Sequence, residues 1–159
     1  KALASIKSFY GASRRFDVYK KISINKSKPI IIDDYGHHPT EIASTIKTIK
    51  DIYDNRKIIM VFQPHRFTRT KAYWRLFVNI IKQVDQIIIL PTYSAGEKNN
   101  SFDSSFLFKK LKNKEKTYLK SISGTIEELR KQDYDNSVLL LQGAGDIKSI
   151  INILKQNDN

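Results

Sequence analysis

The chain has 159 residues, 40% of them hydrophobic and 28% charged, with no cysteine and a formal charge of +12. That length suits one domain with a real core; the missing cysteines exclude disulfides and thiolate metal sites and agree with a reducing, cytoplasmic setting. No apolar run approaches the roughly 20 residues of a membrane-spanning helix, and residues 1–20 carry no secretory leader pattern.

In chain order, Phe16–Ile24 reads as an antiparallel edge strand or hairpin partner of the apolar run that follows Pro29. Lys28–Asp33 (KPIIID) reads as a short buried strand. A helix then opens at Pro39, with Thr40 and Glu41 in its first turn and Ile42, Ile46 and Ile49 on its apolar face. Lys57–Phe62 is a strand. The spacing of Trp74, Phe77, Ile80 and Ile81 predicts a helix over 70–84. Asp85–Leu90 is a strand, Ser104–Asn113 a helix, Lys116–Leu119 a short strand and Ile126–Lys131 a short helix. Ser137–Gln142 is a strand, and Ile147–Lys155 a final helix before a polar tail. Strands alternating with helices predict a three-layer α/β domain. Its sheet should hold about six strands, mostly parallel, with one antiparallel strand at the edge, and continuous apolar strands imply helices on both faces. No second domain, repeat or low-complexity tract interrupts 1–159.

The chemistry collects where strands end. Four loops after strands carry unusual residues: DDYGHHPTE (33–41), QPHRFTRT (63–70), PTYSAGE (91–97) and QGAGD (142–146). Parallel strands bring such loops to one edge of the sheet, where open α/β sheets bind ligands. All three histidines of the chain lie in the first two loops. In the second, Arg66, Arg69 and Lys71 sit at a helix amino end that is already partially positive, so an anion would be welcome there. A solvated basic turn is the competing reading. QGAGD lacks the full dinucleotide fingerprint, and no phosphate-loop or nucleophile-elbow motif occurs. A metal site at His37, His38 and His65 is disfavoured because adjacent histidines diverge and arginines stand nearby. His38 reads as a helix cap, Asp33 as a hydrogen-bonding partner for loop backbone and Tyr93 as packing. The basic residues are mostly lysines spread along the chain, which argues against a nucleic-acid groove.

Taken in order, DDYGHHPTEI, FQPHRFTRT, YSAGE and QGAGD resemble the C-terminal domain of the Mur ligase family of peptidoglycan synthesis. The likeness runs from about Phe9 to the final helix, and RRFD (14–17) looks like the family's entry into this domain. QPHRFTRT favours the branch that adds L-alanine to UDP-N-acetylmuramate over the tripeptide-adding branch. A stand-alone module for an anion or nucleic acid is the reading of another class. The resemblance implies a Rossmann-like fold and a part in an ATP-dependent, amide-forming ligase that works through an acyl phosphate. It implies that the N-terminal UDP-sugar domain and the central ATPase domain, with its Mg²⁺, lie outside this chain, so that the chain alone should not turn over. It further implies that Tyr35, His37, His65, Arg66 and Arg69 line the L-alanine site, and that Arg15 and Asp34 reach ATP when the domains close. Glu97 and Asp146 match family motifs without an implied role.

Overall fold

The computed structural model describes residues 14–98, 102–113 and 115–156. Residues 9–13 of the family likeness and the last three residues of the polar tail lie outside this set. The chain forms β1 (Asp17–Tyr19), β2 (Ile30–Asp34), α1 (Pro39–Ile52), β3 (Lys57–Phe62), α2 (Phe67–Ile81), β4 (Gln86–Ile89), α3 (Ser104–Lys110), β5 (Glu115–Tyr118), α4 (Ile122–Leu129), β6 (Ser137–Gln142), a 3₁₀ turn (Asp146–Lys148) and α5 (Ser149–Gln156).

Six strands make one sheet in the order β1-β2-β6-β3-β4-β5. β1 runs antiparallel to β2, with Val18 opposite Ile32, and every other pair is parallel. β6, last in the chain, lies between β2 and β3, so Leu140 faces Ile32 on one side and Met60 on the other. The expected three-layer, Rossmann-like architecture with its antiparallel edge is therefore present. Side chains alternate across the sheet with period two. Ile58, Met60, Phe62, Val138 and Leu140 meet Ile42, Ile46 and Ile49 of α1, Phe77 and Ile81 of α2 and Leu107 of α3. Ile59, Val61, Leu139 and Leu141 meet Ile126 and Leu129 of α4 and Ile150, Ile151 and Leu154 of α5. Crossovers of one hand require this split, because α1–α3 follow strands that step one way along the sheet and α4 follows the step back.

Element boundaries depart from expectation for local reasons. α2 begins at Phe67, three residues before Thr70, and ends at Ile81, three before Val84. α3 stops at Lys110, because Asn113 is used elsewhere: its Nδ2 donates to the carbonyls of Ile81 and Val84, both at 3.1 Å. α4 begins at Ile122, four residues before Ile126, with the Ser121 hydroxyl accepting from Gly124 N. Gly124 inside the first turn conceals that start from helix propensity. The edge strand keeps only Asp17–Tyr19 of the expected Phe16–Ile24, and Ile24 turns back on Ser27 instead. β2 spans Ile30–Asp34 rather than 28–33, β5 starts and ends one residue early, and a 3₁₀ turn occupies the expected start of α5. Among the described residues no helix is long and apolar enough to cross a membrane.

Candidate functional site

The carboxyl ends of β2, β6, β3 and β4 form one crest, and short polar bonds fix its loops. Arg14 lies beside the end of β2, where its Nε and Nη2 donate to the two oxygens of Asp33 at 3.0 and 3.1 Å. Nη2 also donates to Gly143 O at 2.8 Å, tying the β2 and β6 loops together. Both partners are well shielded, with the Asp33 side chain only 4% exposed, so the pair is a buried one. Asp34 accepts from Phe16 N at 3.0 Å, Gly36 N at 2.7 Å and Gln142 Nε2 at 2.7 Å. Gln142 Nε2 also donates to Gly36 O at 2.7 Å, while Gln142 Oε1 is buried without a hydrogen-bond partner. Next along the crest, Gln63 Nε2 donates to Asp146, and Gln63 Oε1 accepts from Ile147 N at 3.0 Å. Gly143 has φ +148°, and a Cβ there would stand 2.6 Å from Gln63 O. Gly145 lies so close under Tyr93 that a Cβ would meet its Cβ at 2.8 Å and its Cγ at 2.7 Å. The two glycines of QGAGD thus serve close backbone packing.

Above this base runs a row of rings: Tyr35, His37, His65 and Tyr93, with successive centroids 5.4, 5.3 and 5.6 Å apart. Tyr93 stacks on His65 at 19°, and its backbone holds the neighbouring loop, donating to Pro64 O and accepting from Arg66 N, both at 2.8 Å. Arg69 Nη1 donates to His65 Nδ1 at 3.2 Å, and to the His65 carbonyl at 3.4 Å. Burial, then the neighbouring His37, Arg69 and Arg66, hold His65 below the usual histidine range. Its imidazole is therefore neutral near pH 7.

Arg66 immediately precedes α2 with φ +70°, a conformation that non-glycine residues rarely adopt. The strain is held by Arg66 N on Tyr93 O and by Thr70, whose N and Oγ1 donate to Arg66 O at 3.1 and 2.9 Å. Such strain clusters at functional sites. Among the described residues no carboxylate pairs within 4 Å of Arg66 or Arg69. The amino end of α2 does have an anion of its own. Glu97, brought over by the β4–α3 loop, accepts from Thr68 N at 3.1 Å and Thr68 Oγ1 at 2.5 Å. The Thr68 hydroxyl chiefly holds the Glu97 carboxyl below the usual range. The positive helix end is thus partly met from within, and the two guanidinium groups remain available for a carboxylate guest.

The crest brings the expected residues together in two groups. His37, His65, Arg69 and Tyr35 belong to the ring row, with Arg66 at its end. Arg15, Asp34 and Tyr35 share an open cleft of about 480 Å³ along α1, with Thr40, Glu41 and Ser44 on its wall. Asp34 is 8% exposed and already accepts three hydrogen bonds, so its carboxylate shapes the cleft as well as lining it. His38 caps α1 as expected: it accepts from Thr40 N, while Glu41 Oε2 accepts from His37 N and His38 N, both at 2.9 Å. Burial pushes the Glu41 carboxyl up, but the His38 and His37 N–H groups outweigh it and hold Glu41 below its ordinary value. Asp33 binds the Arg14 side chain rather than loop backbone, and Lys71 lies over the Phe102 ring, 5.4 Å from its centroid. Residue-type patterning missed Arg14, Gln63 and Gln142. Arg14 shows in sequence only as part of RRFD, beside Arg15 before β1, and the glutamines only as the first residues of QPHRFTRT and QGAGD, one residue past or at the end of a buried strand.

The Mur ligase family model for the glutamate ligase domain matches residues 14–145. The chain is 42% identical over 157 residues to the UDP-N-acetylmuramate–L-alanine ligase of Buchnera aphidicola, covering 93% of this chain and 32% of that protein. It is 44% identical over 155 residues to the enzyme of that name from Francisella philomiragia, covering 96% and 33%. The crystal structure of the Thermotoga maritima UDP-N-acetylmuramate–alanine ligase superposes with a TM-score of 0.65 at 26% identity, over 98% of this chain and 33% of that one. A murein peptide ligase from Psychrobacter arcticus shares the fold, with a TM-score of 0.68 at 15% identity over 99% and 32%. The chain spans about a third of the length of the curated relatives it matches. With the four crest loops in family order on this fold, the chain belongs to the Mur ligase family, as its C-terminal glutamate ligase domain.

Proposed function

We propose that this domain holds the incoming L-alanine in an ATP-dependent ligase that joins it to UDP-N-acetylmuramate through an acyl phosphate. The observation that carries the reading is the pair Arg66 and Arg69, free of any carboxylate partner among the described residues and set beside His65 and His37. Two guanidinium groups suit the carboxylate of a small amino acid, and the adjoining rings bound the space for its side chain. The names of the relatives point to the same substrates. In this reading Arg15, exposed at the mouth of the cleft, meets the phosphates or ribose of ATP, and Asp34 lies behind it. In this reading the UDP-sugar domain and the central ATPase domain, the latter holding Mg²⁺ and most of the ATP contacts, are portions of a longer chain. Docking of those portions onto the crest would complete the site and shield an acyl phosphate from water.

The test is kinetic, in the ligase that carries this domain. Arg69→Ala removes one charge-assisted contact, and the KM for L-alanine should rise about 10- to 100-fold. The KM for ATP should stay within about twofold, since Arg69 and its partner His65 are assigned no contact with ATP. An unchanged KM for L-alanine would sink the carboxylate assignment.

A further inference from the structure

We infer that the two adjacent imidazoles hold opposite tautomers, making His37 the proton acceptor for the incoming ammonium group and His65 a fixed hydrogen-bond donor. The inference rests on the alanine-holding reading above and adds to it a route for the proton. An α-ammonium group has no lone pair, so it must lose a proton before its nitrogen can attack a carbonyl carbon.

Each tautomer follows from the neighbour of Nδ1. His37 Nδ1 lies 3.3 Å from the Tyr35 carbonyl oxygen. A carbonyl can only accept, so Nδ1 carries the hydrogen and the lone pair of the neutral ring is on Nε2. His65 Nδ1 lies 3.2 Å from Arg69 Nη1. A guanidinium can only donate, so the lone pair of His65 is on Nδ1 and the hydrogen on Nε2. The ring centroids are 5.3 Å apart. One pocket therefore presents a proton acceptor and a proton donor side by side, although the two residues are of one type.

The surrounding charges keep the roles apart. His65 faces Arg69 and Arg66 from the start of α2, with Glu97 beyond them on the β4–α3 loop, and Tyr93 covers its other face. A second proton on His65 would have to displace the Arg69 hydrogen bond. His37 faces the Tyr35 ring, the His65 ring and Glu41 at the start of α1, whose carboxylate accepts from the His37 backbone N–H. A carboxylate is thus bonded to the His37 backbone, whereas a guanidinium is bonded to the His65 ring. In the step itself, one N–H bond of the ammonium breaks and its electron pair stays on nitrogen. The proton moves to His37 Nε2, leaving a neutral amine and an imidazolium. His65 Nε2–H donates to an oxygen of the bound amino acid.

Two experiments test this. On the chain itself, long-range ¹H–¹⁵N NMR of the imidazole nitrogens above pH 7 should show His37 protonated on Nδ1 and His65 on Nε2. A neutral His37 protonated on Nε2 would overturn the inference, whatever the substrate is. In the ligase that carries the domain, His37→Asn keeps an amide N–H for the Tyr35 carbonyl but no base. Its kcat with L-alanine should fall about 100-fold or more at neutral pH, with KM little changed, and regain about tenfold per pH unit as solvent deprotonates the amine. Hydroxylamine, already unprotonated at neutral pH, should lose at least about tenfold less of its conversion to the hydroxamate than L-alanine loses of its kcat. Equal losses with both nucleophiles, or a pH profile parallel to the parent's, would overturn the proton role. Failure of the alanine reading shows separately, as an Arg69→Ala enzyme with unaltered KM for L-alanine.

Discussion

Arg66 combines two properties that rarely serve the same end. Its guanidinium belongs to the proposed carboxylate site, and its backbone is held at φ +70°. A glycine would relax that backbone and remove the side chain. Arg66→Gly should therefore leave stability unchanged or raise it by up to about 1 kcal/mol, against the usual trend for loss of a residue. The KM for L-alanine should rise at least tenfold, since a charge-assisted contact is lost. Urea unfolding of the chain and kinetics of the ligase read the two effects separately. Loss of both stability and affinity would mean that the Arg66 side chain, not its backbone, organises the loop. Arg66, Arg69 and the histidines are legible in sequence because charged and titratable residues stand out in a short loop. Arg14 and Gln142 are not, because their importance comes from partners 19 and 108 positions away.

Among the elements, strands are legible and helix starts much less so. β3, β4 and β6 are buried on both faces and therefore read as unbroken apolar runs. α1 announces itself through Pro39 and the capping pair His38 and Glu41, all within four residues. α2 has no acid in its first turn and takes its cap from Glu97, 29 positions beyond Thr68, so its start is invisible to local reading. That long-range cap has a pH signature. The Glu97 carboxyl is held below its ordinary value in the folded chain, so its contribution is fully present above the unfolded carboxylate range. It is lost as pH falls through the lower, folded value. Glu97→Gln should lower the Tm at pH 7, and the deficit should close as the pH drops below about 4. A deficit that persists in acid would assign the effect to packing of the 94–97 turn rather than to the carboxylate.

Over the whole molecule, β6 is the strand that makes a site out of separate loops. It is the last strand in sequence, yet it stands between β2 and β3 and ends in Gln142, whose Nε2 donates to both Asp34 Oδ1 and Gly36 O. The loop that carries Tyr35 and His37 is thereby fastened to the centre of the sheet. Two changes in the same strand should have different consequences. Leu140→Ala opens a cavity between β6 and α1 in a wholly buried position, and should cost about 2–5 kcal/mol of stability. Because it lies two residues below the crest, the KM for L-alanine should stay within about twofold at temperatures where the protein is folded. Gln142→Leu fills nearly the same volume but takes one of three donors from the Asp34 carboxylate and the side-chain donor from the Gly36 carbonyl, at a cost of about 1–3 kcal/mol. It should also raise the KM for L-alanine several-fold, although Gln142 is no part of the proposed alanine site, because the His37 loop loses its anchor. Gln142→Glu sharpens the point: it sets a second carboxylate against Asp34, so the protein should be destabilised at neutral pH and recover below about pH 5, as one of the two acids takes up a proton. If Leu140→Ala and Gln142→Leu shifted KM equally, the crest would be responding to general loosening of the core, and the fastening role of Gln142 would fall.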